Sequence, residues 1–260
     1  MSKTQIDRLG DRLKKGTISE ADLQLLDQYR RSFAEAFDFL VRTIRKELAL
    51  EPTGRPAKST SSISEKLRRE SIRLTQIQDI AGCRLIVPDI AKQEIVVQSL
   101  QSLFEDTTII DRRQQPSHGY RAVHVIVNCL DKMVEIQIRT SLQHLWAELS
   151  EKLSDVLDPA IKYGGGDEDD QKLLAVFSSS VARVESLEVR LTNLEIRLAD
   201  LQREISVPSR LVKEKVQEEL VYFREELRLV KQGISEHLHK AIQFVEEFKT
   251  RKDRVNDLSH

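Results

Sequence analysis

A sustained heptad pattern in the C-terminal part of the chain constrains its fold more than any other feature. Aliphatic residues alternate three and four positions apart in a first run: Val184, Leu187, Leu191, Leu194, Leu198, Leu201 and Ile205. A second run follows Pro208: Val216, Leu220, Phe223, Leu227, Val230, Ile234, Leu238, Ala241, Val245 and Phe248. This spacing places one apolar stripe along each helix and predicts a coiled coil. Because proline breaks a helix, we expect either an antiparallel hairpin joined near residues 206–209 or pairing with another copy of the chain.

Residues 1–50 have helical periodicity without heptads. We expect a short first helix to about Lys15, ended by Gly16, and then an N-cap at Ser19 supported by Asp22. Apolar residues recur at helical spacing from there to Leu48, which predicts one long amphipathic helix packed on a core.

The middle region, residues 51–165, alternates short β-type runs with helical segments. A Pro/Gly/Ser-rich loop and a short basic helix come first, and a helix near IVVQSLQSLF follows the first strand. The pair Asp131-Lys132 is typical of a tight hairpin between the last two strands. Four runs have strand character: CRLIVPDI, TTIIDRR, YRAVHVIVNCL and MVEIQIRT. We therefore predict an α+β fold with a mixed, mainly antiparallel sheet flanked by helices.

Opposite charges nearly balance, with 41 Lys and Arg against 42 Asp and Glu and a formal net charge of −1. This balance does not favour a globally basic nucleic-acid-binding protein, although a local basic patch is compatible with it.

Cys83 and Cys129 lie in apolar runs, which favours buried thiols over a disulfide scaffold or a zinc site. No stretch approaches about 18 apolar residues and no signal-peptide core is present, so we expect a cytoplasmic protein without membrane contact.

Two carboxylates lie beside predicted strands of the middle region. Asp79 directly precedes one strand, and Glu135 lies within another. Magnesium in nucleotide sites is bound through one or two carboxylates together with substrate phosphates. These two residues are therefore candidate magnesium ligands.

Basic and hydroxyl side chains just upstream supply donors for a polyphosphate. Arg55, Lys58 and Ser62 lie in the loop and at the start of the basic helix, and Lys66 follows on that helix. We expect Ser62 to cap the helix, whose N-terminus would favour an anion. A basic helix face alone is usually only solvated, but together with the carboxylates it predicts a nucleoside triphosphate site.

Strand periodicity gathers further polar residues on one sheet face. In the last two strands, period-two alternation separates aliphatic from polar side chains. The polar face comprises Tyr120, His124, Glu135, Gln137 and Arg139. A merely solvated sheet face is the alternative interpretation of this pattern.

Five motifs, in matching order and spacing across about residues 35–165, resemble the synthetase domain of the RelA/SpoT family. They are Arg55…Lys58…Ser62-Ile63…Lys66, Asp79-Ile80-Ala81-Gly82-Cys83-Arg84, Gly119-Tyr120-Arg121-Ala122-Val123-His124, Glu135-Ile136-Gln137-Ile138-Arg139-Thr140 and His144…Ala147-Glu148. The resemblance implies a nucleotidyltransferase-like synthetase domain at residues 51–165. We expect helices of residues 1–50 to pack on it, and a coiled-coil region at 170–260 to make the protein a homo-oligomer.

The resemblance also implies a reaction and a set of site residues. The β,γ-pyrophosphate of ATP would move to the 3′-hydroxyl of GDP or GTP, giving (p)ppGpp and AMP. Asp79 and Glu135 would be catalytic and bind Mg²⁺, and Glu135 would also accept the hydroxyl proton. The implied ATP-binding residues are Arg55, Lys58, Ser62, Lys66 and Arg84. The implied acceptor-binding residues are Tyr120, His124, Gln137, Arg139, His144 and Glu148, although His144 and Glu148 equally fit a helix-surface pair.

Three departures from the family pattern leave the acceptor open. One extra residue separates Arg55 from Lys58, Ala122 replaces a common serine, and the segment before Tyr120 lacks the Lys and Asn of long synthetases. The alternatives are a toxin-like enzyme acting on the 3′ end of tRNA or on adenosine nucleotides, and an inactive nucleotide-sensing or scaffolding protein. A tRNA acceptor would need a basic surface. The candidates for it, which are otherwise a solvated face, are Arg68, Arg69, Arg73, Arg112 and Arg113.

Overall fold

The fold is α+β, with a five-stranded sheet flanked by helices and two long helices in the C-terminal part. The computed structural model describes residues 1–204 and 210–257. The helices are α1 Lys3–Lys15, α2 Glu20–Arg31, α3 Ala34–Leu48, α4 Thr60–Arg69, α5 Ile90–Leu103, α6 Ser141–Val156, α7 Glu168–Glu204 and α8 Arg210–Asp257. The strands are β1 Thr53–Arg55, β2 Ala81–Val87, β3 Thr107–Asp111, β4 Val123–Cys129 and β5 Lys132–Thr140.

The residues fall into two compact units. Unit 1 comprises Met1–Leu85, Ile95–Asp111 and Val123–Ile138, so it holds the N-terminal helices and most of the sheet. Unit 2 comprises Ile86–Glu94, Arg112–Ala122 and the chain from Arg139 onward, so it holds α6, α7 and α8. The division into residues 1–50, 51–165 and 170–260 stays a prediction.

The sheet has the strand order β1-β2-β5-β4-β3. The pairings β1–β2, β3–β4 and β4–β5 are antiparallel, which agrees with the predicted fold class. In β4 and β5, His124 lies opposite Gln137 and Ile126 lies opposite Glu135. The three-residue edge strand β1 lies where the sequence predicts only a loop; it forms because its backbone pairs with β2 from Gly82 to Arg84.

The hairpin between β4 and β5 turns one residue earlier than predicted. Cys129 pairs with Lys132, so the turn consists of Leu130 and Asp131 rather than Asp131 and Lys132. Both turn residues have positive φ, 50° and 60°. Two consecutive positive φ angles match the right-handed twist of the flanking strands, which explains why this turn joins them.

The N-terminal helices confirm the predicted caps and correct one boundary. Gly16 ends α1 in the left-handed region with φ 74°, and Ser19 begins α2 in a capping box with Asp22. The predicted single helix to Leu48 is wrong, because α2 ends at Arg31 and α3 starts at Ala34. Between α2 and α3, the Ser32 hydroxyl donates to the Tyr29 carbonyl at 2.7 Å and so satisfies an acceptor at the end of α2.

The heptad positions of unit 2 pack in an apolar cluster shared by α6, α7 and α8. The buried or half-buried seam residues are Val184, Leu187, Leu191, Leu227, Ile234, Leu238, Ala241 and Val245. The seam is not uniformly buried, since Leu194 and Phe248 are 47% and 45% exposed. The reason is that α8 packs against α6 as well as α7, so the stripe does not face a single partner helix. The predicted connection at residues 206–209 lies outside the described residues.

Candidate active site

Asp79 lies at the centre of a basic cluster in unit 1. Lys58 Nζ donates to Oδ2 of Asp79 at 2.5 Å, and Lys66 Nζ donates to Oδ1 at 3.0 Å. The Asp79 side chain is only 17% exposed, so its charge needs partners. Burial raises the pKa of Asp79, but the charges and hydrogen bonds of Lys58 and Lys66 outweigh it and hold that pKa below its usual value. The carboxylate is therefore ionised at neutral pH.

Local backbone structure brings the two lysines to Asp79. Lys58 lies just before α4, and its backbone N–H donates to the Ile80 carbonyl at 2.6 Å. Lys66 lies two turns into α4. The predicted cap at Ser62 is wrong: Ser59 is the N-cap, and its Oγ accepts from the Ser62 backbone N–H at 3.2 Å. Ser62 lies instead in the first turn, where Ser59 donates to its hydroxyl at 2.8 Å.

Two further candidates for ATP binding are arginines of β1 and β2. Arg55 is exposed at the end of β1, opposite Gly82. Arg84 is half-buried on β2, opposite Thr53. The ATP-binding roles of both arginines stay predictions.

Glu135 lies on β5 in a second polar cluster of unit 1. His124 Nδ1 lies 2.8 Å from Oε1 of Glu135, and Gln137 Nε2 donates to Oε2 at 2.7 Å. These contacts follow from the strand register, since His124 faces Gln137 directly and Glu135 is two residues away on the same face. Burial raises the pKa of Glu135, but the hydrogen bonds from His124 and Gln137 and the charge of His124 together hold it below its usual value.

The two carboxylates belong to neighbouring parts of the sheet: β2 and β5 are adjacent, Asp79 precedes β2, and a Cβ on Gly82 would lie 3.5 Å from Cβ of Glu135. The negative charge of Asp79 also acts to raise the pKa of Glu135. Within residues 1–204 and 210–257, no group of three His, Cys, Asp or Glu side chains forms a ready metal site. A pair of repelling carboxylates suits magnesium, which takes its other ligands from water and substrate phosphates. The residues present therefore fit the expected cofactor.

Tyr120 is held by residues of unit 2. Its ring lies against Arg139, whose guanidinium carbon is 5.1 Å from the ring centroid and whose Nη2 donates to the phenol oxygen at 3.1 Å. The Trp146 ring lies at a centroid distance of 6.4 Å. Backbone hydrogen bonds between Ser117 and Tyr120 close the turn before it. We call residues 117–121 the tyrosine loop.

His144 and Glu148 both lie on α6, in unit 2. Both are half-buried. Glu148 pairs with Lys152 on the next turn at 3.6 Å, and Lys152 also contacts Glu246 of α8 at 2.5 Å. This contact matches the helix-surface interpretation of Glu148, and the acceptor-binding role of both residues stays a prediction.

Residues 54–154 match the family model described as "Region found in RelA / SpoT proteins". This part of the chain belongs to the RelA/SpoT family. The RelA/SpoT region contains Asp79, both lysines and the Glu135 cluster.

Similar proteins share this region. An uncharacterized protein of Mycobacterium tuberculosis is 40% identical over 111 residues, which are 41% of this chain and 41% of that protein. The GTP pyrophosphokinase YjbM of Bacillus subtilis is 34% identical over 145 residues, which are 50% of this chain and 65% of that protein. The chain thus spans less than two thirds of each of these relatives.

Small alarmone synthetase 1 of Bacillus subtilis has the same fold. Its crystal structure, bound to its product pppGpp, superposes with a TM-score of 0.50 at 26% identity and covers 69% of this chain and 100% of that one. The fold built around the RelA/SpoT region is therefore that of a small alarmone synthetase.

A polar network in unit 2 was not predicted from the sequence. Glu185 of α7 is 7% exposed, lies beyond the RelA/SpoT region and accepts hydrogen bonds from Arg121 and Gln143. Its neighbour Val184 belongs to the heptad stripe, and charged residues beside such a stripe normally face water. No local sequence signal separates this buried glutamate from the exposed ones.

In residues 1–204 and 210–257, no helix combines the length and the apolar character that a membrane span requires. The cytoplasmic location stays a prediction.

Proposed function

We propose that the chain is a pyrophosphokinase that transfers the β,γ-pyrophosphate of ATP to the 3′-hydroxyl of GDP or GTP and releases AMP. The observation that carries this proposal is the placement of two carboxylates on neighbouring strands, Asp79 just before β2 and Glu135 on β5, with two lysines on Asp79. Membership of residues 54–154 in the RelA/SpoT family supports it, as does the similarity to the GTP pyrophosphokinase YjbM.

On the ATP side, Lys58 and Lys66 supply two positive charges beside the carboxylate proposed to bind magnesium. When ATP binds with Mg²⁺, the cation would take the place of the lysines beside Asp79. Lys58 and Lys66 would then bind phosphate oxygens of ATP instead of the Asp79 carboxylate. That exchange keeps each partly buried charge paired, and an unpaired buried charge is costly. Arg55, Ser62 and Arg84 are the further proposed ATP contacts.

Asp79 and Glu135 are the proposed magnesium ligands, both ionised at neutral pH because their pKa values are lowered. Bound there, Mg²⁺ would neutralise charge on the triphosphate and on the departing phosphate oxygen.

In the proposed reaction, the 3′ oxygen of the acceptor forms a bond to the β-phosphorus of ATP. The bond from that phosphorus to the oxygen bridging the α and β phosphates breaks, and AMP leaves with that oxygen and the electron pair. Glu135 takes the hydroxyl proton as the new bond forms. His124 and Gln137 fix the orientation of the Glu135 carboxylate through one contact to each of its oxygens.

On the acceptor side, Tyr120 is proposed to stack on the purine, with its ring orientation fixed by Arg139. The other proposed acceptor contacts, to phosphates or ribose, are His124, Gln137, Arg139, His144 and Glu148. These roles account for the concentration of hydrogen-bonding side chains on β4, β5 and α6.

The test is a transfer assay with Mg²⁺ and β,γ-labelled ATP, offering GDP, GTP, ATP alone or bulk tRNA in parallel. We expect label to appear in a guanosine nucleotide together with an equal amount of AMP. Label in tRNA or in an adenosine nucleotide would replace guanosine as the acceptor and identify a toxin-like enzyme. Bound ATP without transfer to any acceptor would contradict the proposal and favour a nucleotide-sensing or scaffolding protein.

A further inference from the structure

We propose that α7 and the turn before it position the tyrosine loop for the acceptor, and that Glu185 is the main positioning residue. This inference rests on the proposed function, in which Tyr120 of that loop binds the acceptor purine. The residues that hold the loop include Gly164, Ser178 and Glu185, all C-terminal to the RelA/SpoT region of residues 54–154. The loop and its supports all belong to unit 2.

The first support acts on the loop backbone at Gly119. The Ser178 hydroxyl of α7 donates to the Gly119 carbonyl at 2.7 Å. Gly119 has φ 84°, and a Cβ there would lie 2.9 Å from Cζ2 of Trp146 and 3.2 Å from Cβ of Ser178. The backbone is therefore pressed against α6 and α7 at a position that only glycine fits.

The second support is the packing of His118 on Gly164, in the turn that precedes α7. A Cβ at Gly164 would lie 2.3 Å from Nδ1 of His118, so the imidazole occupies the space where a side chain would stand. His118 itself has φ 51°, an uncommon conformation for a residue other than glycine. The surrounding contacts therefore hold the loop in a conformation that it would adopt rarely by itself.

The third support is an ion pair at the end of the loop. Arg121 donates from Nε and Nη2 to Oε2 of Glu185 at 2.9 and 2.5 Å. The two side chains are 14% and 8% exposed, so each needs the other's charge. Gln143 of α6 donates to the second Glu185 oxygen at 2.8 Å. Both carboxylate oxygens are thus engaged, which fixes the position of Arg121.

Gln143 connects this ion pair to the chain segment between β3 and the tyrosine loop. Its Oε1 accepts from the backbone N–H of Thr140 and from Nε2 of Gln93, both at 2.9 Å. Gln93 Oε1 in turn accepts from Arg113 at 3.1 Å. One continuous network thus holds the connection between β3 and β4 at Arg113 and again at Arg121, on both sides of Tyr120.

Tyr120 lies between these supports, so its position depends on α7. Small displacements of a binding group cost affinity because the contact geometry is lost. A perturbation of α7 should weaken acceptor binding while sparing the proposed ATP residues around Asp79, which belong to unit 1. Ser178 and Glu185 of α7 in this way position the acceptor-binding loop, and a partner that moved α7 would alter acceptor binding.

The experiment compares Glu185→Gln with Glu188→Gln in the full chain. Glu188 lies almost one turn further along α7 and is equally buried, at 8% exposed against 7%. Its oxygens contact the Ile90 backbone N–H at 3.0 Å and Lys231 at 2.5 Å, and among the described contacts of Glu188 none involves the tyrosine loop. Each variant therefore removes one buried negative charge from α7. The variants differ in the partner that loses its contact, which is Arg121 of the tyrosine loop for Glu185 and Lys231 of α8 for Glu188.

We expect Glu185→Gln to raise the KM for the acceptor about tenfold. Its KM for ATP and its kcat should stay within about twofold of the wild type. Glu188→Gln should leave all three constants unchanged. Equal effects of both variants, or an equal rise in both KM values, would overturn the proposal in favour of general destabilisation.

Hydrogen exchange provides a readout that does not depend on activity. We expect the backbone amides of residues 117–121 to exchange faster in Glu185→Gln and in Ser178→Ala than in the wild type or in Glu188→Gln. Unchanged exchange of these amides in both Glu185→Gln and Ser178→Ala would show that α7 does not hold the loop. If the wild type transfers no pyrophosphate, the proposed function has failed, whereas the exchange data still decide whether α7 supports the loop.

Discussion

Lys58 reaches Asp79 at 2.5 Å, across 21 residues of sequence. The contact joins the residue before the Ser59 cap of α4 to the residue two positions before β2. The backbone N–H of Lys58 also donates to the carbonyl of Ile80, beside Asp79. The backbone and the side chain of Lys58 therefore both hold the chain before α4 against the chain before β2, which positions Lys58 beside Asp79.

Replacing Lys58 by methionine tests whether this cluster binds triphosphate. Lys58→Met keeps most of the side-chain length and removes one charged donor, which is worth about 1.5–3 kcal/mol. We expect the Kd for ATP, measured by calorimetry, to rise about tenfold or more. Lys46→Met is the matched control, because Lys46 is exposed on α3 and pairs only with its neighbour Glu47 in the described contacts. An unchanged Kd in Lys58→Met would remove Lys58 from the ATP site.

The ion pair between Arg12 and Asp22 predicts a pH dependence of stability. The hydrogen bond from Arg12, followed by that from the Ser19 backbone, lowers the pKa of Asp22 from 3.8 to about 2. A carboxyl with a lowered folded-state pKa stabilises the fold fully above its ordinary pKa and loses that effect as the pH falls through the folded value. We therefore expect Asp22→Asn to flatten the decline of Tm between pH 3.8 and about 2.

Asp27→Asn is the control for that comparison, because Asp27 forms an exposed pair with Arg31 on the same helix. Its Tm profile should follow the wild type, since exposed pairs contribute little. A parallel shift of the Asp22→Asn profile, without flattening, would contradict the assignment.

Leu238 tests the packing of α8. This side chain is fully buried in the apolar cluster of unit 2, so Leu238→Ala should cost about 2–5 kcal/mol of unfolding free energy. Leu229→Ala removes the same group from a position of the same helix that is 54% exposed and should cost less than about 0.5 kcal/mol. Chemical denaturation measures both, and equal costs would show that α8 does not pack as described.

Self-association through the C-terminal helices stays a prediction, and exposed apolar side chains on them support it. Tyr222 and Phe244 of α8 are 72% and 70% exposed, and Ile196 of α7 is 54% exposed. A second copy of the chain would cover such residues, since apolar burial drives association. We expect light scattering to give a dimer or a larger species and Phe244→Glu to shift it toward monomer. A wild-type monomer at all concentrations tested would refute the prediction.

The polar face of the sheet was predictable because strand alternation fixes which side chains share a side. His124, Glu135 and Gln137 meet as expected, since their positions depend only on period two and on a hairpin register. The exact turn was not predictable, because Leu130 carries a positive φ that its residue type disfavours. The register of the strands, rather than local preference, imposes that angle.

Other features depend on tertiary contacts that leave no local trace. β1 has three residues and no alternation, so only its pairing with β2 reveals it. Ser59 and Ser62 are both acceptable caps by residue type, and the choice follows from where the backbone enters α4. The burial of Glu185 likewise depends on Arg121, which lies 64 residues away.

The most direct test of the central claim is AMP release from ATP and GDP, with and without Mg²⁺, by the wild type, Asp79→Asn and Glu135→Gln. Glu105→Gln, at an exposed site of unit 1, is the control. We expect Mg²⁺-dependent release by the wild type and the control, and a loss of at least about 100-fold, ~2.7 kcal/mol, in each carboxylate variant. Release at the wild-type rate by either carboxylate variant would contradict the account of a two-carboxylate pyrophosphate-transfer site.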